Sequence, residues 1–221
     1  MMSPSPPSQD FPAVAAVILA GGEGQRLGGV VKANIEIAGA RLLDRVAAVL
    51  RRGASPILVA HGRLDAATLE LPPDLVPVPD PPGERRGPLA GLAAAIEWIA
   101  AQRPDIPLLA SAAVDTPFLP PDFLGRLLEE MAKASADVVM AQYGGQPYPT
   151  NALWRISAFA GVPAAFRSGH GPFSLKRLAA ASHGAVATWP IDPDSPGDPF
   201  ANVNTPDDLE SLARRAIEAG R

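Results

Sequence analysis

The sequence predicts a single α/β domain in which a mostly parallel sheet lies between two layers of helices. Short apolar runs alternate with amphipathic segments over residues 14–141, which is typical of parallel strands joined by helical crossovers. The 221 residues suit one domain with a sizeable core. The first apolar run, residues 14–20, is too short to span a bilayer but suits a buried strand.

Each element has a signal of its own. In the predicted helix 41–52, Leu42, Val46 and Leu50 share one face, and Gly53 suits the end of that helix. Pro88 suits the first turn of a helix over 88–101. Apolar extended runs predict strands at 14–20, 56–60, 76–78, 107–114, 138–141 and 148–154. Further helices are predicted at 121–134 and 173–180.

Composition and charge argue against several classes of function. The chain has no cysteine, so it has no disulfide and no cysteine-based zinc site, and its three histidines lack metal-ligand spacing. The net charge is −4 without a basic patch, so we expect no nucleic-acid partner. Residues 1–12 form a Pro/Ser-rich tail that we expect to be disordered, which leaves 13–221 as the domain. With no targeting or membrane segment recognised, we expect a cytoplasmic protein without membrane contact.

A glycine-rich loop follows the first predicted strand. It contains five glycines between residues 21 and 29, together with Arg26 and Lys32. Glycines let backbone N–H groups turn toward a ligand, and the two cations favour a polyanion such as a nucleoside triphosphate. The loop fits neither the Walker pattern nor the G-x-G-x-x-G pattern. The alternative is a flexible turn without a ligand.

Two aspartates stand where predicted strands end. Asp80 follows the strand 76–78, and Asp115 follows the strand 107–114. Ligands of open α/β sheets bind beyond the carboxyl ends of the strands, where the glycine loop is also expected. A carboxylate at that edge suits Mg²⁺ shared with substrate phosphates. The alternative for Asp115 is a turn or helix cap.

Two asparagines precede a predicted C-terminal helix. Thr205 as N-cap, Pro206 at the first position and acidic residues in the first turn predict the start of that helix. Asn202 and Asn204 are two residues apart, so they would face the same side of an extended segment. Such a pair of amides suits either a polar ligand or a turn network.

Four motifs resemble those of nucleotidyltransferases of the molybdenum-cofactor guanylyltransferase (MobA-like) type. LAGGEGQRLGGVVK at 19–32 resembles the family signature LAGG-x-x-x-R-M-G-G-x-D-K, and GPLAG occurs intact at 87–91. DTP occurs at 115–117, and FANVNTPDDL at 200–209 resembles F-x-N-V-N-T-P-E-E-L. The similarity extends over about residues 14–212, nearly the whole chain.

The resemblance implies a Rossmann-like nucleotidyltransferase fold and transfer of GMP from GTP to molybdopterin, with Mg²⁺ as cofactor. Arg26, Lys32 and Asp115 would be catalytic, and Asp115 would hold the metal. Asn202 and Asn204 would contact molybdopterin. The implied nucleotide-binding residues are Leu19, Ala20, Gly21, Gly22, Lys32, Asp80 and Asp115. Besides GTP and molybdopterin, proteins that handle the cofactor are expected partners.

Some positions depart from the family or stay open. Val31 stands where the family usually has Asp, and 60–62 (Ala-His-Gly) lack its asparagine near the end of the second strand. Pro149, Thr150 and Asn151 are weaker candidates for the pterin side, and Arg85 and Arg86 would overhang the nucleotide. The alternatives are a related enzyme that uses CTP or a sugar phosphate, and a nucleotide-binding homologue with weak catalysis.

Overall fold

The structure is a computed structural model that describes residues 11–22, 29–81, 87–169, 174–191 and 197–218. The strands are β1 (Val14–Leu19), β2 (Glu36–Ile37), β3 (Ala40–Arg41), β4 (Ile57–Ala60), β5 (Leu75–Val78), β6 (Leu108–Ala113), β7 (Val138–Tyr143), β8 (Gln146–Arg155) and β9 (Gly184–Trp189). The α-helices are α1 (Leu42–Leu50), α2 (Pro88–Gln102), α3 (Phe123–Ala134), α4 (Ile156–Phe159), α5 (Val162–Ser168), α6 (Leu175–Ala180) and α7 (Pro206–Glu218).

The main sheet has seven strands in the order β5-β4-β1-β6-β8-β7-β9. Strands β5, β4, β1 and β6 pair in parallel, whereas β8 runs antiparallel to both of its neighbours, β6 and β7. Gly144 and Gly145 turn the β7–β8 hairpin with φ values of +55° and +80°, which favour glycine. The prediction of a mostly parallel sheet is confirmed. The strands β2 and β3 form a separate small hairpin.

Helices cover both faces of the sheet, as the sequence predicts for a three-layer fold. On β1, Ala16 and Ile18 face a core built with α1, α3 and α7, while Ala15 and Val17 face a core built with α2, α5 and α6. Because both faces of this strand are covered, its residues 14–18 are all buried. This explains the continuous apolar run in the sequence.

The predicted elements up to residue 180 agree with the structure to within two residues at each end. The predictions lacked β9, the β2–β3 hairpin and the short helices α4 and α5. Strand β9 lies at the edge of the sheet and alternates between exposed and buried residues, so it lacks the uniform apolar run of the central strands. Of the predicted tail 1–12, only Phe11 and Pro12 lie within the described residues.

Candidate active site

A pocket of about 260 Å³ opens beyond the carboxyl ends of β1, β4 and β6. This is the edge at which ligands bind in open α/β sheets. Its walls combine the start of the glycine loop, both predicted aspartates, the first residues of α2 and part of the C-terminal segment. The lining residues in the described part of the chain are Leu19, Gly21, Gly22, Lys32, Ala60, Asp80, Gly87, Pro88, Gly91, Ala113, Val114, Asp115, Thr150 and Asn202.

Lys32 links the glycine loop to the strand that carries Asp115. It opens a 3₁₀ turn, Lys32–Asn34, and its Nζ donates to Asp115 Oδ2 at 2.7 Å and to Asn204 Oδ1 at 2.7 Å. The Lys32 and Asp115 side chains are only 12% and 17% exposed. Partial burial lowers the effective dielectric constant, so this ion pair is stronger than one on an open surface.

Backbone hydrogen bonds tie the Asp115 side of this ion pair to two other segments at the pocket edge. The N–H of Val114 donates to the carbonyl of Leu19 at 3.2 Å, which continues the β1–β6 ladder to the pocket edge. The N–H of Val203 donates to the carbonyl of Asp115 at 2.9 Å and fixes the segment before α7 against the same edge. Three distant segments of the chain therefore meet at Asp115.

Helix α2 approaches the strands closely because Gly91 has no side chain. A Cβ at this position would lie 2.8 Å from Leu19 Cδ2, 2.9 Å from Ala60 Cβ and 4.0 Å from Asp80 Oδ1. The helix begins with Gly87 at φ +101° as N-cap and Pro88 in its first turn, and both residues line the pocket. The positive dipole end of the helix therefore lies at the pocket, where an anion is favoured.

The loops after β1 and β4 cross in contact at two glycines. A Cβ at Gly21 would lie 3.1 Å from the backbone of Gly62, and Gly62 itself has φ +63°. Ala20 is buried, and its N–H donates to the carbonyl of Ala60 at 2.8 Å. His61 is also buried, and because a carbonyl only accepts, its Nδ1 must donate to the Leu64 carbonyl at 2.7 Å. Ala60 lines the pocket, whereas His61 is not among the described residues that do.

The C-terminal helix begins as the sequence predicts, with a reciprocal cap. Thr205 Oγ1 accepts from the N–H of Asp208 at 3.2 Å, and Asp208 Oδ2 accepts from the N–H groups of Thr205 and Asn204 at 2.8 and 3.0 Å. The Asn204 N–H is the largest cause that lowers the pKa of Asp208, followed by the bond with Thr205, and the charge of Lys32 adds to the effect. The cap thereby fixes the backbone of Asn204, whose side chain binds Lys32.

The two asparagines have different surroundings. Asn202 is exposed and lines the pocket, where it can contact a ligand. Asn204 does not belong to the described lining, and its amide oxygen accepts from Lys32 instead. Of the weaker candidates, Thr150 lines the pocket and Asn151 is fully buried beside it.

Two residues that line the pocket were not predicted from the sequence, and three predicted arginines lie outside the residues that the structure describes. The sequence reasoning did not name Ala113 and Val114 as site residues, although their position at the end of the strand before Asp115 was a signal for them. The predicted Arg26, and also Arg85 and Arg86, lie outside the described residues.

The carboxylates present are compatible with Mg²⁺ but do not form a complete cage. The described residues contain no cluster of three or more His, Cys, Asp or Glu side chains that could hold a metal. Mg²⁺ in phosphate-transfer sites usually takes only one or two carboxylates and completes its shell with substrate phosphates and water. Asp115, in a pocket lined by glycines and a lysine, provides one such carboxylate. Among the described residues, no helix combines the length and the apolar character of a membrane span.

Comparisons with known proteins agree with this geometry. The family model of the MobA-like NTP transferase domain matches residues 16–186. A protein of Rhodopseudomonas palustris (strain BisB5) named molybdenum cofactor guanylyltransferase is 38% identical over 217 residues, which are 97% of this chain and 100% of that protein. A Rhodobacter capsulatus protein of the same name is 38% identical over 89% of this chain and 93% of its own length.

A solved structure shares the fold. It is molybdopterin-guanine dinucleotide biosynthesis protein A from Archaeoglobus fulgidus, with a TM-score of 0.64 and 27% sequence identity. The similarity covers 94% of this chain and 100% of that one. The family match covers more than half of the chain and includes the carboxyl ends of β1, β4 and β6, which form the pocket. The chain therefore belongs to the family of the MobA-like NTP transferase domain.

Proposed function

We propose that this chain transfers GMP from GTP to the terminal phosphate of molybdopterin, with release of pyrophosphate. The observation that carries the proposal is that the LAGG glycines, Lys32, Asp80 and Asp115 line the same pocket. Relatives named molybdenum cofactor guanylyltransferase, similar over nearly their whole length, support this choice of substrates. The reaction would take place in the cytoplasm, where GTP is available.

The triphosphate of GTP would lie between the glycine loop and the first turn of α2. Gly21 and Gly22 leave the backbone of the loop accessible, and Gly87 and Pro88 bring the positive end of the helix to the same space. Lys32 Nζ already stands at the pocket wall, where it would donate to phosphate oxygens. Asp80 lies on the β4–β5 side and would contact the nucleoside.

Asp115 is the residue that would hold Mg²⁺ against the phosphates. When bound, the ion would neutralise charge on the phosphate oxygens, which lowers the cost of adding a second anion. Lys32 now donates to Asp115 Oδ2, so it would move its hydrogen bond from that carboxylate to the substrate when the nucleotide arrives. The remaining bond to Asn204 would keep the ammonium group near the site.

The chain itself needs no covalent nucleophile. An oxygen of the molybdopterin phosphate would attack the α-phosphorus of GTP, and the bond to the bridging oxygen of pyrophosphate would break. The protein would contribute in-line positioning and charge stabilisation by Lys32 and the loop amides. Asn202 and Thr150, at the pocket edge, are the residues we assign to the acceptor side. The amide NH₂ of Asn204 would join them.

The test combines nucleotide selectivity with turnover. GTP with Mg²⁺ is expected to raise the melting temperature more than CTP, ATP or UTP, because selective binding stabilises the fold. Pyrophosphate is expected only when molybdopterin is added. Asp115→Ala should remove Mg²⁺-dependent turnover and leave the fold intact.

The alternatives give different results in this test. A preference for CTP, or turnover with a sugar phosphate in place of molybdopterin, would indicate a related transferase. Binding without pyrophosphate release would indicate a catalytically weak homologue.

A further inference from the structure

An irregularity of β8 lies directly behind the wall of the pocket. Along β7, Met140 is opposite Ala152 and Ala141 is opposite Tyr148, so residues 149–151 have no partner on that strand. On the other side, the β6–β8 ladder ends at the pair Ser111 and Ala152, before β6 itself ends. The last residues of β6 therefore continue to the pocket without a backbone partner from the β8 ladder.

Beyond the last β6–β8 backbone pair, the side chain of Asn151 provides a hydrogen-bond acceptor for β6. Its Oδ1 accepts from the N–H of Ala113 at 3.0 Å and lies 3.3 Å from the hydroxyl of Thr116. That hydroxyl also donates to the carbonyl of Ala113 at 2.7 Å, which closes the turn. Asp115 lies between Ala113 and Thr116, so Asn151 contacts both ends of the turn that carries it: its oxygen accepts from Ala113, and the hydroxyl of Thr116 ties the other end to Ala113.

The orientation of this amide is fixed by its partners. A backbone N–H can only donate, so the oxygen of Asn151 must face Ala113 and its NH₂ must face away. The side chain is fully buried, and its Nδ2 has no hydrogen-bond partner within the described residues. Within the described residues, the polar contacts of this amide are therefore confined to its oxygen, on the side of the turn that carries Asp115.

We propose that Asn151 is a positioning residue that sets the place of the Asp115 carboxylate in the pocket. It contacts no substrate and acts through Ala113 and Thr116. The inference rests on the proposed function, because the role of Asp115 as the metal-holding carboxylate belongs to that proposal.

The test is the dissociation constant (Kd) of Mn²⁺–GTP, measured by titration calorimetry with the full chain. Asn151→Leu keeps the branched shape and the number of heavy atoms but removes the acceptor, so the Kd is expected to rise about 10- to 100-fold, as for other outer partners of metal ligands. The melting temperature should also fall, because the buried N–H of Ala113 loses its acceptor, so the Kd has to be compared with that of a variant that loses a buried hydrogen bond elsewhere. Asn151→Val, which is smaller and suits a strand, covers the case that leucine does not fit.

Ser111→Ala is the matched control on the same pair of strands. Ser111 is also fully buried, and its Oγ accepts from Trp154 Nε1 at 2.9 Å, away from Asp115. This variant should lower the melting temperature and leave the Kd unchanged. Equal Kd values for the wild type and both Asn151 variants would overturn this inference but not the proposed function. The same holds if Ser111→Ala raises the Kd as much as the Asn151 variants do. A wild-type chain without affinity for Mn²⁺–GTP would overturn the proposed function and, with it, this inference.

Discussion

Replacing Lys32 with methionine removes the one described cation that lines the pocket and keeps most of the side-chain volume. In the wild type, Lys32 Nζ lies 2.7 Å from an oxygen of Asp115 and 2.7 Å from one of Asn204, and only 12% of the side chain is exposed. In the reaction, this ammonium group would donate to phosphate oxygens on which charge grows. The variant loses that interaction in the transition state.

The magnitude follows from the strength of a charged hydrogen bond. One such bond contributes about 1.5–3 kcal/mol. Since about 1.4 kcal/mol corresponds to a factor of ten in rate, kcat/KM for GTP should fall by about 10- to 150-fold. Mn²⁺ alone should bind more tightly, because nothing then competes for Asp115 Oδ2. The opposite signs of these two effects separate the loss of a catalytic cation from general damage to the site.

Turnover is measured as pyrophosphate release at saturating molybdopterin, and Mn²⁺ binding by electron paramagnetic resonance. Lys133→Met is the control, because Lys133 is 79% exposed and pairs with Glu130 at 3.5 Å on the surface of α3. It should change neither quantity. A fall in kcat/KM of less than about threefold for Lys32→Met, far below the effect expected of one charged bond, would refute the reasoning. Arg85 or Arg86 would then have to supply the cation.

Three further predictions concern other parts of the site. Gly91→Ala should lower the free energy of unfolding by about 1–3 kcal/mol and weaken GTP binding, because its methyl group would lie 2.8 and 2.9 Å from two side chains. The control is Gly125→Ala, in open space on α3, which should not destabilise the chain in the same thermal unfolding measurement. Thr205→Ala should cost about 1 kcal/mol through loss of the cap of α7, and denaturant titration would show no change if the cap is irrelevant. The pKa of Asp208 is lowered in the fold, so its carboxylate stabilises the chain at pH values above the ordinary pKa of 3.8, and this contribution is lost as the pH falls through the lowered pKa. Asp208→Ala should therefore have a lower melting temperature than the wild type at neutral pH, and the difference should disappear on acidification. A difference in melting temperature that does not depend on pH would contradict the assignment.

The arrangement of the sheet could be predicted because its signals are local. Apolar runs such as 14–20 and 107–114 are buried on both faces, and Pro88 and Thr205 mark helix starts through their own backbone chemistry. The rule that ligands bind beyond the carboxyl ends of parallel strands then brings Asp80 and Asp115 together, as the structure shows. These inferences need no knowledge of side-chain packing.

The contacts inside the site could not be predicted in the same way. Lys32 and Asn204 are 172 residues apart, and nothing in their local sequences says that one side chain reaches the other. The unpaired stretch at 149–151 depends on the register of β8 against two strands at once, which alternation of residue types does not encode. Spacing alone suggested that Asn202 and Asn204 face one side, but it could not show that Asn202 lines the pocket while Asn204 accepts a hydrogen bond from Lys32.

The most direct measurement incubates the purified chain with Mg²⁺, molybdopterin and each nucleoside triphosphate in turn, and quantifies pyrophosphate and the dinucleotide product. The account predicts molybdopterin guanine dinucleotide and pyrophosphate in equal amounts with GTP, and neither product in the Asp115→Ala variant. Product formed from GTP by that variant at the wild-type rate, or none formed from GTP by the wild type, would contradict it.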